Sequence, residues 1–170
     1  QGKIMHWNHV NSAWPNDIIN LYVTDRDSGT FDYFTEAIVG KSKSSRSDFT
    51  ASEDDNVLVQ GIEGNKYALG YIPYAYFAAN KGKLKALKID WEKDNLGPIE
   101  PSPENVESAK YNPLSRPLFI YINKKSAVEK AWVREFVDFY IKNVKELAHE
   151  VHYQPLPAAD YAEVKARFAA

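Results

Sequence analysis

Hydrophobic positions along this chain gather into short apolar runs that alternate with stretches of helical character. Ile18-Ile19-Asn20-Leu21-Tyr22-Val23 is an apolar run of strand length. Phe31 to Val39 reads as a helix closed by Gly40. Lys41 to Asp48 is polar and serine-rich, which predicts an exposed loop. Ser52-Glu53-Asp54-Asp55 then opens a second helix, Asn56 to Ile62, with Ser52 placed to cap it and Asp55 at the capping-box position. Gly61 and Gly64 end that helix.

The pattern continues through the second half. Tyr67 to Phe77 begins as a buried strand that Pro73 stops, and Leu84 to Ile89 alternates with lysines as a half-exposed strand does. Ser102-Pro103-Glu104 is a helix start with proline at the first helical position. Leu118-Phe119-Ile120-Tyr121-Ile122 has no polar face and predicts a central strand. Ser126-Ala127-Val128-Glu129 is a capping box that opens the longest helix, whose apolar positions are Val128, Trp132, Phe136, Tyr140, Val144 and Leu147. Strand and helix signals alternate throughout, so the class is α/β.

Length and charge narrow the function. At 170 residues the chain supports one domain, or one domain and part of another. A net charge of -2 gives no basic field for nucleic acid, and no Lys/Arg run marks a membrane surface. The absence of cysteine excludes disulfides and thiolate metal sites and fits either redox compartment. No stretch has the length of a membrane span. Gln1-Gly2-Lys3-Ile4-Met5-His6-Trp7-Asn8 reads as the interior of something longer.

Most candidate chemistry dissolves on inspection. His6 and His9, like His149 and His152, are spaced i, i+3, but each pair lacks a third ligand and reads as surface or capping histidines. Glu53-Asp54-Asp55 is explained by the helix dipole rather than by a metal. Ser28 is not in a Gly-x-Ser-x-Gly elbow, and neither a phosphate-loop Lys-Ser/Thr nor a Gly-x-Gly-x-x-Gly occurs. Nothing points to catalysis, a cofactor or a metal. Tyr71, Tyr74, Tyr76 and Phe77 read as core and interlobe packing. What stands out is Ser28-Gly29-Thr30, set between the first strand and the first helix. Two hydroxyls and several unpaired N–H groups at one helix N-terminus suit an oxyanion. A plain N-cap at Ser28 is the competing reading.

Several collinear segments resemble one family, the phosphate-binding proteins of bacterial phosphate ABC transporters (PstS/SphX-like). They are Ser28 to Ile38, Thr50 to Gly61, Ala68 to Phe77, Pro113 to Tyr121, the Trp7 region and Tyr153 to Pro157. The resemblance implies a two-lobed periplasmic-binding-protein fold of type II, closing on inorganic phosphate and delivering it to the transporter's permease subunits without making or breaking a bond. It implies donors at Ser28, Gly29 and Thr30. Many members carry an arginine four residues before the serine, where this chain has Thr24. Arg46 is the first substitute and Arg26 the second.

The resemblance also implies that residues 1–113 are most of the central lobe. Residues 114–170 would return into the first lobe, whose N-terminal part is absent. A fragment, or a second polypeptide or swapped copy supplying the rest, follows as an expectation. The implied location is periplasmic or extracellular, with a lipid anchor left open. The alternative is a degenerate relative that binds no anion and acts in assembly or signalling.

Overall fold

The computed structural model describes residues 2–151 and 153–169. It divides into two compact units, Gln1–Leu87 and Lys88–Ala170.

The first unit is built on a three-stranded parallel sheet in the order β2-β1-β3. β1 (Asn20–Thr24) lies in the middle, and β2 (Phe49–Ser52) and β3 (Ala68–Gly70) flank it. The register runs from Leu21 opposite Phe49 to Thr24 opposite Ser52 on one side, and from Asn20 opposite Ala68 to Tyr22 opposite Gly70 on the other. Helix α1 (Gly29–Val39) carries the chain from β1 to β2, and α2 (Asp55–Glu63) carries it from β2 to β3. Ile19, Val23, Phe31, Leu58 and Val59 are buried and form the core, with Phe31 tilted against Phe49 at 5.7 Å. Gly40 ends α1 with φ 75°, as its position after Val39 requires.

Three local expectations change here. β2 is a strand that its sequence, Phe-Thr-Ala-Ser, did not advertise; its pairing partner β1 imposes the extended conformation. The cap of α2 is Asp54, whose carboxylate accepts from the Asn56 N–H at 2.9 Å, while Ser52 Oγ accepts one step earlier from the Asp54 N–H at 3.0 Å. Gly61 lies inside α2, and Gly64 alone ends it. Beyond Pro73 the chain turns into a short helix, α3 (Tyr74–Ala79).

In the second unit, β4 (Ile89–Asp90) and β5 (Pro98–Ile99) form an antiparallel ribbon. Residues 84–88 form no ladder, so the lysine-alternating strand is limited to Ile89 and its neighbour. Helix α4 (Pro103–Glu107) starts as expected, with Ser102 Oγ accepting from the Asn105 N–H at 3.2 Å. The longest helix is not continuous with the Ser126 box. α5 (Lys124–Glu129) is capped by Asn123, three residues ahead of Ser126. Lys130 is extended (φ -123°, ψ 102°), and α6 (Ala131–Glu150) begins after it. The buried residues of α6 are Val137 and Ala148, and the helix packs with α5 and α7 (Ala158–Ala169).

The expected apolar stripe lies open: Val128, Trp132, Phe136 (65 % exposed), Tyr140 and Leu147 are all accessible. Leu118 to Ile122 is not a strand in this unit; Phe119 is 70 % and Tyr121 92 % exposed. An all-apolar strand forms only between neighbours, and among the described residues of this unit the ribbon β4–β5 is the sole sheet.

Candidate anion-binding site

The strands of the first unit all point the same way, so their C-terminal ends share one edge. The order β2-β1-β3 means that the connections leave β1 toward one flank and reach β3 on the other. Such a reversal opens a crevice beyond the C-terminal ends of β1 and β3, the usual ligand site of open α/β sheets. The first element to leave that edge is the turn Asp25 to Ser28 and the start of α1.

The turn is held from within. Asp25 Oδ1 accepts from the Asp27 N–H at 3.0 Å, and the Asp25 carbonyl accepts from the Ser28 N–H at 2.9 Å. Ser28 is extended (φ -76°, ψ 133°), and its Oγ accepts from the Thr30 N–H at 3.1 Å. Ser28 is therefore a true N-cap. The two readings of this serine are compatible, because a hydroxyl that accepts a capping bond keeps its own hydrogen to donate. The N–H groups of Gly29 and Phe31 belong to the first helical turn and have no intrahelical acceptor.

Two helices start at this edge, and their chemistry differs. The N-terminus of α2 is filled by its own acids: Asp54 caps it and Asp55 stands in its first turn. Burial, with Asp54 beside it, pushes the Asp55 carboxyl above the usual carboxylate range. An anion is disfavoured there. At α1 the dipole faces hydroxyls instead, and two nearby carboxylates are engaged: Asp27 by Lys43 at 3.7 Å, Asp32 by the Ser42 hydroxyl at 3.0 Å.

The two arginines differ in place. The Arg46 side chain is only 8 % exposed and is fully committed as a tie. Its Nε and one terminal nitrogen hold Asp48 (2.8 and 2.5 Å), and the terminal nitrogens also reach the carbonyls of Ile4 and Ile19, both at 3.3 Å. Ile19 stands just before β1, and Ser28 lies beyond its far end. Five residues of strand span about 16 Å. Arg46 thus braces the end of β1 away from Ser28, and the structure does not bring the two together. Arg26 is exposed, with its guanidinium 5.2 Å from the centroid of the Phe49 ring.

The sequence reading passed over Thr24 and Tyr71. Thr24 ends β1, and Tyr71 follows β3 directly, which places both at the crevice. A hydroxyl at the last residue of the central strand is the signal that marks Thr24; Tyr71 carries no such signal. Of the histidine pairs, His6 and His9 meet edge-on at 5.0 Å, and His152 lies outside the described residues. Among the described residues, no three His, Asp or Glu side chains group as a metal site, and no helix is long and apolar enough to cross a membrane.

A parallel α/β edge with a hydroxyl-bearing helix start is a place where an anion can be held. The chain belongs to the PBP superfamily, whose domain matches residues 1–144. It is 49 % identical over 158 residues to Protein SphX of Synechocystis sp., covering 93 % of this chain and 46 % of that protein. It is 34 % identical to the phosphate-binding protein PstS of Staphylococcus saprophyticus, covering 98 % of this chain and 50 % of that one. Among solved structures, a possible phosphate binding protein from Planctomyces limnophilus is 45 % identical with a TM-score of 0.83, over 98 % of this chain and 58 % of that chain. The fold is the α/β architecture of these binding proteins, and the chain spans about half the length of the curated relatives it matches.

Proposed function

We propose that this chain contributes one half of the inorganic-phosphate site of a transport binding protein, with Ser28, Gly29 and Thr30 as its donors. The observation that carries the reading is the α1 N-terminus: a cap whose serine retains a donor hydrogen, on the ligand-binding edge of a sheet, in a chain similar to PstS. Arg26, two residues before Ser28 and exposed, adds positive potential for an arriving anion. Arg46 acts by holding Ile4, Ile19 and Asp48 in place. No bond of the ligand is made or broken.

The delivery partner is the permease of an ABC transporter, and the site of action is periplasmic or extracellular. Residues 114–170 return to a lobe that polypeptide outside this chain completes. The open apolar positions at Leu118 to Tyr121 and along α6 support that assignment, because an isolated monomer rarely leaves such a surface bare.

The test is thermal unfolding of the full-length protein with inorganic phosphate. A ligand at one hundred times its Kd stabilises by about 2.7 kcal/mol, so the melting curve moves upward and Ser28→Ala with Thr30→Val abolishes the shift. An unchanged curve at millimolar phosphate overturns the reading and favours a relative that binds no anion.

A further inference from the structure

Past Gly40 the chain doubles back along α1 toward its start. Ser42 Oγ donates to Asp32 Oδ1 at 3.0 Å, and the Lys43 N–H donates to Thr35 Oγ1 at 2.8 Å. Thr35 is 3 % exposed and gives its own hydrogen to the Phe31 carbonyl at 2.8 Å, so its hydroxyl is a fixed anchor. The Ser44 N–H closes the turn on the Lys41 carbonyl at 3.2 Å. Within that turn Lys43 has φ 61°, a left-handed backbone that lysine seldom adopts and that glycine or asparagine normally supplies. Its ammonium stands 3.7 Å from the carboxylate of Asp27, the residue before Ser28.

Charge around the start of α1 gives that placement a use. Residues 25–32 contain three carboxylates, Asp25, Asp27 and Asp32, against one guanidinium, Arg26. An anion drawn to the first N–H groups of the helix therefore meets a segment of net negative charge, which opposes the dipole. Asp32 accepts from a hydroxyl and Asp25 from the Asp27 N–H, and neither bond supplies positive charge. Lys43 does, and it comes from outside the segment. Backbone held in a sparsely populated region marks function where the surroundings enforce it, as the Thr35 anchor does here.

We infer that Lys43 is a positioning residue of the oxyanion site: it neutralises Asp27 beside the Ser28 cap, so that the anion meets hydroxyls and the helix dipole without that repulsion, and it does not itself touch the anion. This rests on the oxyanion reading above. Both side chains stand in solvent, 55 % and 91 % exposed, so the effect on affinity is small and fades with salt.

The test is calorimetric titration of the full-length protein with inorganic phosphate at low and high salt, alongside melting of the ligand-free variants. Lys43→Gly weakens binding about threefold at low salt. It melts close to the parent, because glycine suits the left-handed backbone and keeps the N–H that Thr35 accepts. Asp27→Asn tightens binding by a similar factor, and Asp27→Asn/Lys43→Gly returns to the parent affinity. These differences shrink at about 1 M salt. A lysine that only shapes the turn leaves affinity unmoved in Lys43→Gly, and one that grips the anion directly leaves the double variant as weak as Lys43→Gly. Either result overturns the inference; with binding still lost in Ser28→Ala/Thr30→Val, it leaves the phosphate reading standing. No binding by the parent protein overturns both.

Discussion

The ring of Tyr22, on the central strand β1, occupies the space that a side chain at position 61 would need: a Cβ built on Gly61 collides with the ring. Gly61 sits inside α2, where glycine normally costs about 1 kcal/mol relative to alanine. Here close approach of helix to strand outweighs propensity. Gly61→Ala is expected to destabilise the protein by about 1–3 kcal/mol, the usual cost of overpacking. Tyr22→Ala alone loses ring packing, but the pair Tyr22→Ala/Gly61→Ala falls short of the sum of the singles. Denaturant melts of the four proteins in a double-mutant cycle measure it; simple additivity would show that the ring swings aside at no cost.

Arg46 gives a stability and pH prediction. Arg46→Met leaves the carbonyls of Ile4 and Ile19 and the Asp48 carboxylate without their partner. The expected loss is about 2 kcal/mol, below the figure for a fully buried pair because Asp48 is half exposed. Its hydrogen bond to Arg46 holds the Asp48 carboxyl below the usual range. A depressed carboxylate stabilises above its unfolded pKa, and that stability is lost as pH falls through the folded value. The gap between the parent and Asp48→Asn is therefore full at pH 7 and closes in acid below the unfolded value of 3.8. A gap constant from pH 7 down to pH 2 would refute this linkage.

At Ser28 the cap and the ligand role separate cleanly. Aspartate caps as well as serine does. Ser28→Asp thus keeps the melting temperature of the ligand-free protein while its charge repels phosphate and eliminates binding. Ser28→Ala loses about 1 kcal/mol of cap together with one anion donor. Calorimetry and melting on both variants decide it, and intact phosphate binding by Ser28→Asp would place the anion elsewhere.

What could be read in the sequence tracks how local its cause is. The helix at Phe31 to Val39, its Ser28 cap and its Gly40 stop are set by residues within a few positions of one another, and they stand as read. β2 depends on its partner across the sheet, so Phe49-Thr50-Ala51-Ser52 carried no strand signal of its own. The resemblance offers Arg46 as a substitute ligand, and nothing in the sequence around it says which end of β1 it braces. Thr24 and Tyr71 are 47 positions apart, brought together only by the parallel pairing of β1 and β3. The break at Lys130 has no proline or glycine to announce it, and nothing in the structure explains it.

Leu118 to Ile122 tests the lobe assignment. In a strand, Leu118, Ile120 and Ile122 face one side and Phe119 and Tyr121 the other, and five apolar residues in a row suit a strand covered on both faces. On the proposed lobe assignment, the exposure at Leu118 to Tyr121 is that of a strand whose neighbours lie outside this chain. In the full-length protein the amides of residues 119–122 are expected to join a ladder and exchange with the slowest, globally opening class. Phe119→Asp, which places a charge on a covered face, is expected to cost at least about 3 kcal/mol there. Hydrogen exchange of the full-length protein reads the segment directly. Exchange as fast as that of the exposed residues Lys41 and Ser42 would make the segment a connector and return residues 114–170 to the same lobe as the residues before them.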